Sequence, residues 1–162
     1  MAKKKVNPAS AEPVIENRRA RHDYAIGDTL EVGLKLHGSE VKAVRSGRIS
    51  LQEGYVVATE SPVGLFLHSV TVGDYQPAGP FGHTGDRPRV LLAHKREILK
   101  LARQTQQKGL TIVPLKLYWK NGMAKLEIGV GEGRNRQDKR DAIAEREHKR
   151  DMERAMSRRM KF

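Results

Sequence analysis

The sequence predicts a mainly β fold with short helices: a small closed or partly closed barrel of about six antiparallel strands, followed by a charged C-terminal extension. Three observations carry this. Apolar and polar residues alternate in several short runs, two such runs flank an Asn121-Gly122 turn, and the last 31 positions, Glu132 to Phe162, hold 18 charged residues with few apolar anchors. The strand order implies mostly antiparallel connections, which disfavours a parallel α/β sheet.

Leu30 to Leu36 alternates strictly. Leu30, Val32, Leu34 and Leu36 share one face and Glu31, Gly33 and Lys35 the other, as a half-buried strand requires. Gly38-Ser39 then opens a short helix: Ser39 suits the N-cap, Glu40 the positive end of the dipole, Val41 and Val44 share a face, and Gly47 stops it. Tyr55 to Thr59 and Leu65 to Val72 read as strands around Ser61-Pro62-Val63-Gly64, and Gly73 to Pro88 as a loop. Between His94 and Lys108, Ile98, Leu101, Ala102 and Thr105 recur at helical spacing, with Gly109 as terminator.

The last hairpin is the best determined element. A two-residue Asn121-Gly122 turn pairs Lys120 with Met123 and so dictates every other pair. One face then sets Trp119 opposite Ala124, Leu117 opposite Leu126, Leu115 opposite Ile128 and Val113 opposite Val130. The other sets Lys116 against Glu127 and Tyr118 beside Lys125. Leu110 and Ile112 are out of phase with Leu115 and Leu117, and Pro114 stands at the change, which predicts a bulge or an edge there.

The 162 residues include 31 Lys and Arg against 19 Asp and Glu, six His and no Cys, for a net charge of +12. No apolar run approaches the ~18 to 20 residues of a membrane span, and Met1 to Pro8 lacks the apolar stretch of a signal peptide, so a cytoplasmic protein with no membrane partner is expected. The absence of Cys excludes disulfide frameworks, thiolate zinc sites and cysteine nucleophiles. The histidines are scattered and no His-Glu-x-x-His occurs; Glu145 and His148 have the spacing of half a helical di-metal site, but the second half is missing. Gly129-Val130-Gly131-Glu132-Gly133 departs from the dinucleotide fingerprint at Arg134 and reads as a flexible joint. No nucleophile-elbow motif is present, so nothing in the sequence supports a Ser/His/Asp triad; no catalytic residue is assigned, and no metal or cofactor is expected. The chain divides into a disordered basic start (1–15), a globular domain (16–130) and a charged tail (131–162). The first 130 residues carry 20 basic and 12 acidic side chains, the remainder 11 and 7.

This charge favours phosphate contact through counterion release. Arg18, Arg19, Arg21, His22 and Tyr24 sharpen that reading, since guanidinium groups fork onto phosphates while His and Tyr stack on unpaired bases. The hairpin's polar face, with Lys116, Tyr118 and Lys125, either extends this surface or is simply solvated. With only eight aromatics, recognition of folded RNA by shape and phosphate fits better than stacking on long single strands.

Several motifs in order resemble one family. Asn17-Arg18-Arg19-Ala20-Arg21-His22-Asp23-Tyr24, Gly33-Leu34-x-Leu36-x-Gly38-x-Glu40-Val41-Lys42-x-x-Arg45, Arg89-Val90-Leu91-Leu92-x-His94-Lys95-Arg96-Glu97-Ile98, Leu117-Tyr118-Trp119-Lys120-Asn121-Gly122 and Asp138-Lys139-Arg140 are together similar to the bacterial SsrA-binding protein (SmpB) family over about residues 15–162. The resemblance implies a six-stranded OB-like barrel, not an enzyme, that binds the tRNA-like domain of transfer-messenger RNA and serves trans-translation, the rescue of ribosomes stalled on broken messages. Asn17, Arg18, Arg19, Ala20, His22, Tyr24, Glu31, Glu40, Lys42, Arg45 and Lys125 match the family's RNA-facing segments. Glu31 would accept hydrogen bonds from RNA bases or ribose.

The resemblance also implies a tail that is disordered when free and helical in the vacant mRNA channel of the ribosome. Arg134, Arg136, Asp138, Lys139 and Arg140 would lie at its ribosome-binding start, and pairs such as Glu145 with Lys149 suit a segment that folds on binding. Gln137 stands where many relatives carry His or Tyr, so no stacking is assigned there. Elongation factor Tu and alanyl-tRNA synthetase would associate through the RNA, and the protein itself would be a monomer. A barrel acting on ribosomal RNA is the alternative; an RNA-modifying enzyme would need a cofactor motif that is not found.

Overall fold

The computed structural model describes residues 12–73, 84–106 and 109–134, together with Met152 and Met156, which are helical and exposed. In chain order its elements are β1 (Ile15–Glu16), α1 (Arg18–Asp23), β2 (Tyr24–Leu34), α2 (Gly38–Arg45), β3 (Ile49–Ser50), β4 (Tyr55–Glu60), β5 (Val63–His68), β6 (Thr71–Val72), β7 (Arg89–Leu92), α3 (Lys95–Thr105), β8 (Leu110–Lys120) and β9 (Met123–Gly133). The main sheet runs β1-β8-β4-β5-β7-β2-β9, and β9 pairs back onto β8. Six antiparallel strands therefore close into a ring, with β1 added beside β8, the small closed barrel that the sequence predicts.

The alternation from Leu30 to Leu36 sorts as expected, although β2 itself ends at Leu34. Val32 and Leu34 are buried, Leu30 and Leu36 half-buried, and Glu31 and Lys35 exposed. The four apolar residues join Leu51, Val56, Leu65, Leu67, Leu91, Ile112, Leu117, Leu126 and Ile128 in the barrel interior. The helix α3 packs on β4, β5, β8 and β9 and adds Ile98 and Leu101 to that core; α2 adds Ala43 and Val44. The Asn121-Gly122 turn adopts positive φ at both residues, 53° and 74°, and pairs Lys120 with Met123, Trp119 with Ala124 and Leu117 with Leu126.

Beyond Leu117 the register changes. Lys116 pairs with Glu127 but Pro114, not Leu115, pairs with Ile128, and Ile112 rather than Val113 faces Val130. Leu115 is the extra residue of a bulge. Proline supplies no N–H to the ladder, and the insertion brings the out-of-phase Ile112 back to the interior. Leu115 and Val113 consequently leave the interior core and form a second buried cluster with Ala20 of α1, against which Tyr24 and Ile26 pack. A matching irregularity between Ile26 and Thr29 lets Ile26 face this outer cluster while Leu30 faces inward.

Two further expectations are corrected. The run Gly129 to Gly133 is not a joint but the end of β9, paired from Gly129–Thr29 to Gly133–Tyr24 on one side and from Val113 to Leu110 on the other. A Cβ at Gly129 would lie 2.7 Å from Ile26 Cγ2 and 2.9 Å from Leu115 Cδ1, and one at Gly131 2.9 Å from Ile26 Cδ1. These glycines are flat ground on which the outer cluster packs. The N-cap of α2 is His37 rather than Ser39: the His37 N–H donates to Glu40 Oε2 at 2.8 Å. Of the segment expected to be disordered, residues 12–15 are placed, with Ile15 paired to Leu117.

Candidate nucleic-acid interface

The helix α1 is six residues long and has no apolar stripe, so its own propensity does not explain it. Asn17 does. Its Oδ1 accepts from the Ala20 N–H at 3.1 Å, and its Nδ2 donates to the carbonyls of Leu51 at 2.8 Å and Pro114 at 3.0 Å. The backbone N–H of Asn17 donates to the Leu115 carbonyl at 2.7 Å. One buried side chain thus caps the helix and ties it to the bulge in β8. Asn17 and Ala20 lie inside this joint, at 2% and 3% exposure, and serve the surface by placing its neighbours.

On the outer side of α1 stand Arg18, Arg19 and Arg21, all exposed. The Arg19 guanidinium bonds Asp23 at 3.2 Å and Glu53 at 2.7 Å; His22 Nδ1 lies 3.0 Å from Asp23. Arg18 and Arg21, with Lys116 and Glu127, line a cleft of about 260 Å³ beneath the helix. The bulge that sends Leu115 outward leaves Lys116 outward as well, which is how β8 comes to share this cleft.

Lys116 leads to a second centre. Its Nζ stands 6.0 Å from the centre of the Tyr118 ring, and the Tyr118 hydroxyl donates a short hydrogen bond to Glu31 Oε2. Lys120 Nζ lies 3.3 Å from both Glu31 oxygens and Lys125 Nζ 3.8 Å from Oε1. Glu127 pairs with Glu31 across β2 and β9. Above all the Tyr118 hydroxyl, and then Lys120 and Lys125, hold the Glu31 carboxyl below its ordinary range against the opposing effect of burial. The same bond pushes the Tyr118 hydroxyl up to about 12.

The α2 residues separate. Lys42 and Arg45 are exposed; Arg45 lies over the Trp119 ring at 4.7 Å and 3.3 Å from Glu12. Glu40, matched to the RNA-facing set by resemblance, is not on this surface. It is fully buried, accepting from Arg87 at 3.1 and 2.5 Å and from Arg89 at 3.0 Å. Arg89 is itself fully buried and donates to the carbonyls of Val70, Arg87 and Gly85. Burial raises the Glu40 carboxyl, but the two arginines and the His37 N–H outweigh it and leave it below its ordinary range.

Among the described residues no group of three His, Asp or Glu side chains could hold a metal ion, and no helix is long and apolar enough to cross a membrane. The Arg134 N–H donates to the Asp23 carbonyl at 2.9 Å, closing β9 beside α1. Arg136, Asp138, Lys139 and Arg140 lie outside the described residues.

A family model described as SmpB protein matches residues 14–158. The chain belongs to the SmpB family. It is 49% identical over 148 residues to the SsrA-binding protein of Frankia casuarinae, covering 91% of this chain and 92% of that one. Identity to the SsrA-binding protein of Thermobifida fusca is 48% over 161 residues, 98% of this chain and 99% of that one. A solved chain described as "tmRNA-SmpB: a journey to the center of the bacterial ribosome" superposes with a TM-score of 0.65 at 38% identity, covering 81% of this chain and 94% of its own.

For this SmpB-family chain, the resemblance carries neither Lys120 nor Arg21 into its RNA-facing set. Lys120 shares the outward parity of Lys116 and Tyr118, so the hairpin register already pointed to it. Arg21 was legible as part of the arginine knot, but its place in the cleft with Lys116 follows from the bulge.

Proposed function

We propose that this chain binds the tRNA-like domain of transfer-messenger RNA and delivers it to stalled ribosomes for trans-translation, so that incomplete proteins are tagged for degradation. The observation that carries this is one outer face running from Arg18 and Arg21 through Lys116 to the Glu31, Tyr118, Lys120 and Lys125 centre. Guanidinium and ammonium groups supply phosphate contacts, and an ionised carboxylate within them accepts hydrogen bonds from base or ribose donors. Relatives named SsrA-binding protein and a structural neighbour described as tmRNA-SmpB in the bacterial ribosome support the reading.

In this reading Arg18, Arg19, His22, Tyr24, Glu31, Lys42, Arg45 and Lys125 meet RNA, while Asn17 and Ala20 set α1 in place. The protein acts by binding rather than by catalysis, in the cytoplasm and as a monomer, and elongation factor Tu and alanyl-tRNA synthetase associate through the RNA. The tail from Arg134 onward, with Arg136, Asp138, Lys139 and Arg140 near its start, enters the vacant mRNA channel and becomes helical there. Sequencing the RNA that co-purifies with the chain tests the reading. One abundant tRNA-like species is expected; ribosomal RNA fragments alone would favour a ribosomal-RNA-binding barrel instead.

A further inference from the structure

A basic RNA surface gains affinity from lysine and arginine, so an exposed carboxylate at its centre needs a reason. Glu31 is such a carboxylate, with its side chain 36% exposed. An ionised carboxylate offers about four lone-pair sites. Lys120 and Lys125 offset its charge, but each ammonium is a point charge on a flexible stem and lies 3.3 to 3.8 Å away. Tyr118 differs in kind. It stands on β8, its ring reaching across β9, where it pairs with Lys125, to Glu31 on β2. Its hydroxyl is a single neutral donor on a rigid ring, and it engages one oxygen of Glu31 only. It therefore directs the carboxylate without neutralising it.

We propose that Tyr118 is a positioning residue that fixes Glu31 as a hydrogen-bond acceptor for an RNA donor group, and so gives an otherwise electrostatic surface its preference for one RNA. The inference rests on the RNA-binding reading above. The donors that fit are a ribose 2′-hydroxyl or a base N–H, since an ionised carboxylate only accepts.

The test is a titration of the full chain and its Tyr118→Phe, Glu31→Ala and doubly substituted forms. The probes are the tRNA-like domain of transfer-messenger RNA and an unrelated RNA hairpin of equal length. Phenylalanine keeps the ring beside Lys116 and removes only the donor. Y118F is expected to bind the tRNA-like RNA roughly fivefold more weakly, to bind the unrelated hairpin unchanged and to melt at the wild-type temperature. Adding Y118F to E31A is expected to cost nothing further, because the hydroxyl acts through the carboxylate. Wild-type affinity in Y118F, the same loss in both backgrounds, or an equal loss on both RNAs would each overturn the inference. A wild-type chain with no preference for the tRNA-like RNA would overturn the RNA reading itself, and that arm is read before any variant is compared.

Discussion

Asn17 donates to the carbonyl of Leu51 at 2.8 Å, a contact that spans 34 residues and holds α1 against the barrel wall. The same amide also donates to Pro114, and its oxygen caps Ala20. Asn17→Ala would take this partner from the Pro114 carbonyl and the Ala20 N–H and leave the Leu51 carbonyl with the Gly54 N–H at 3.1 Å, at a cost of about 2 to 3 kcal/mol. Asn17→Asp keeps the cap but turns a buried carboxylate toward those carbonyls, and is expected to destabilise at least as much. Urea unfolding of both variants checks this; an Asp variant as stable as wild type would contradict the assigned amide orientation.

The buried Arg87–Glu40–Arg89 cluster makes stability depend on pH with a known sign. Glu40 sits below its ordinary range in the folded state, so its contribution is complete above the unfolded carboxylate value of about 4.3 and is lost as pH falls through the folded value. Glu40→Gln should be less stable at neutral pH and lose less on acidification below about pH 4. Glu40→Ala, which leaves Arg89 buried without its charge partner, should cost about 3 to 5 kcal/mol. Parallel acid limbs for wild type and E40Q would show that other carboxylates govern acid unfolding.

Three glycines in one strand should respond differently to the same substitution. Gly129→Ala and Gly131→Ala drive a methyl into Ile26 and Leu115 or Tyr24, and each is expected to cost about 1 to 3 kcal/mol. Gly133→Ala meets nothing within 4 Å and should change stability by less than about 0.5 kcal/mol. Thermal melts of the three variants decide the matter; equal and negligible shifts would restore the flexible-joint reading of this stretch.

What the sequence disclosed followed the range of its interactions. The hairpin was legible because Asn121-Gly122 dictates pairs a few residues apart. Pro114 marked the bulge, but not that Leu115 would leave the interior, since that depends on α1 lying outside the wall. The helix α1 itself went unseen: six residues without apolar spacing are held by bonds to positions 34 and 97 residues away. Glu40 looked like an ordinary helix-start acid because its arginines lie 47 and 49 residues on, and the Tyr118 partner of Glu31 lies 87 residues off. Local patterning reveals faces; only closure of the ring reveals which faces meet.

Removal of everything after Arg134 separates the two parts of the proposed function. Because β9 ends at Gly133 and the Arg134 N–H closes onto Asp23, the barrel should stay folded and keep its RNA affinity. Tagging of chains on stalled ribosomes should be abolished. Equal loss of binding and tagging would contradict the division.

The central claim is that this outer face recognises one folded RNA rather than phosphate in general. The direct measurement is the affinity of the wild-type chain and Arg18→Ala for the tRNA-like domain and for an unrelated hairpin of equal length, across a salt series. Wild type should prefer the tRNA-like RNA at every salt concentration, since the acceptor bonds of Glu31 release no counterions, and R18A should lower the salt slope by about 1 on both RNAs. Equal affinities falling with equal slopes would contradict the account.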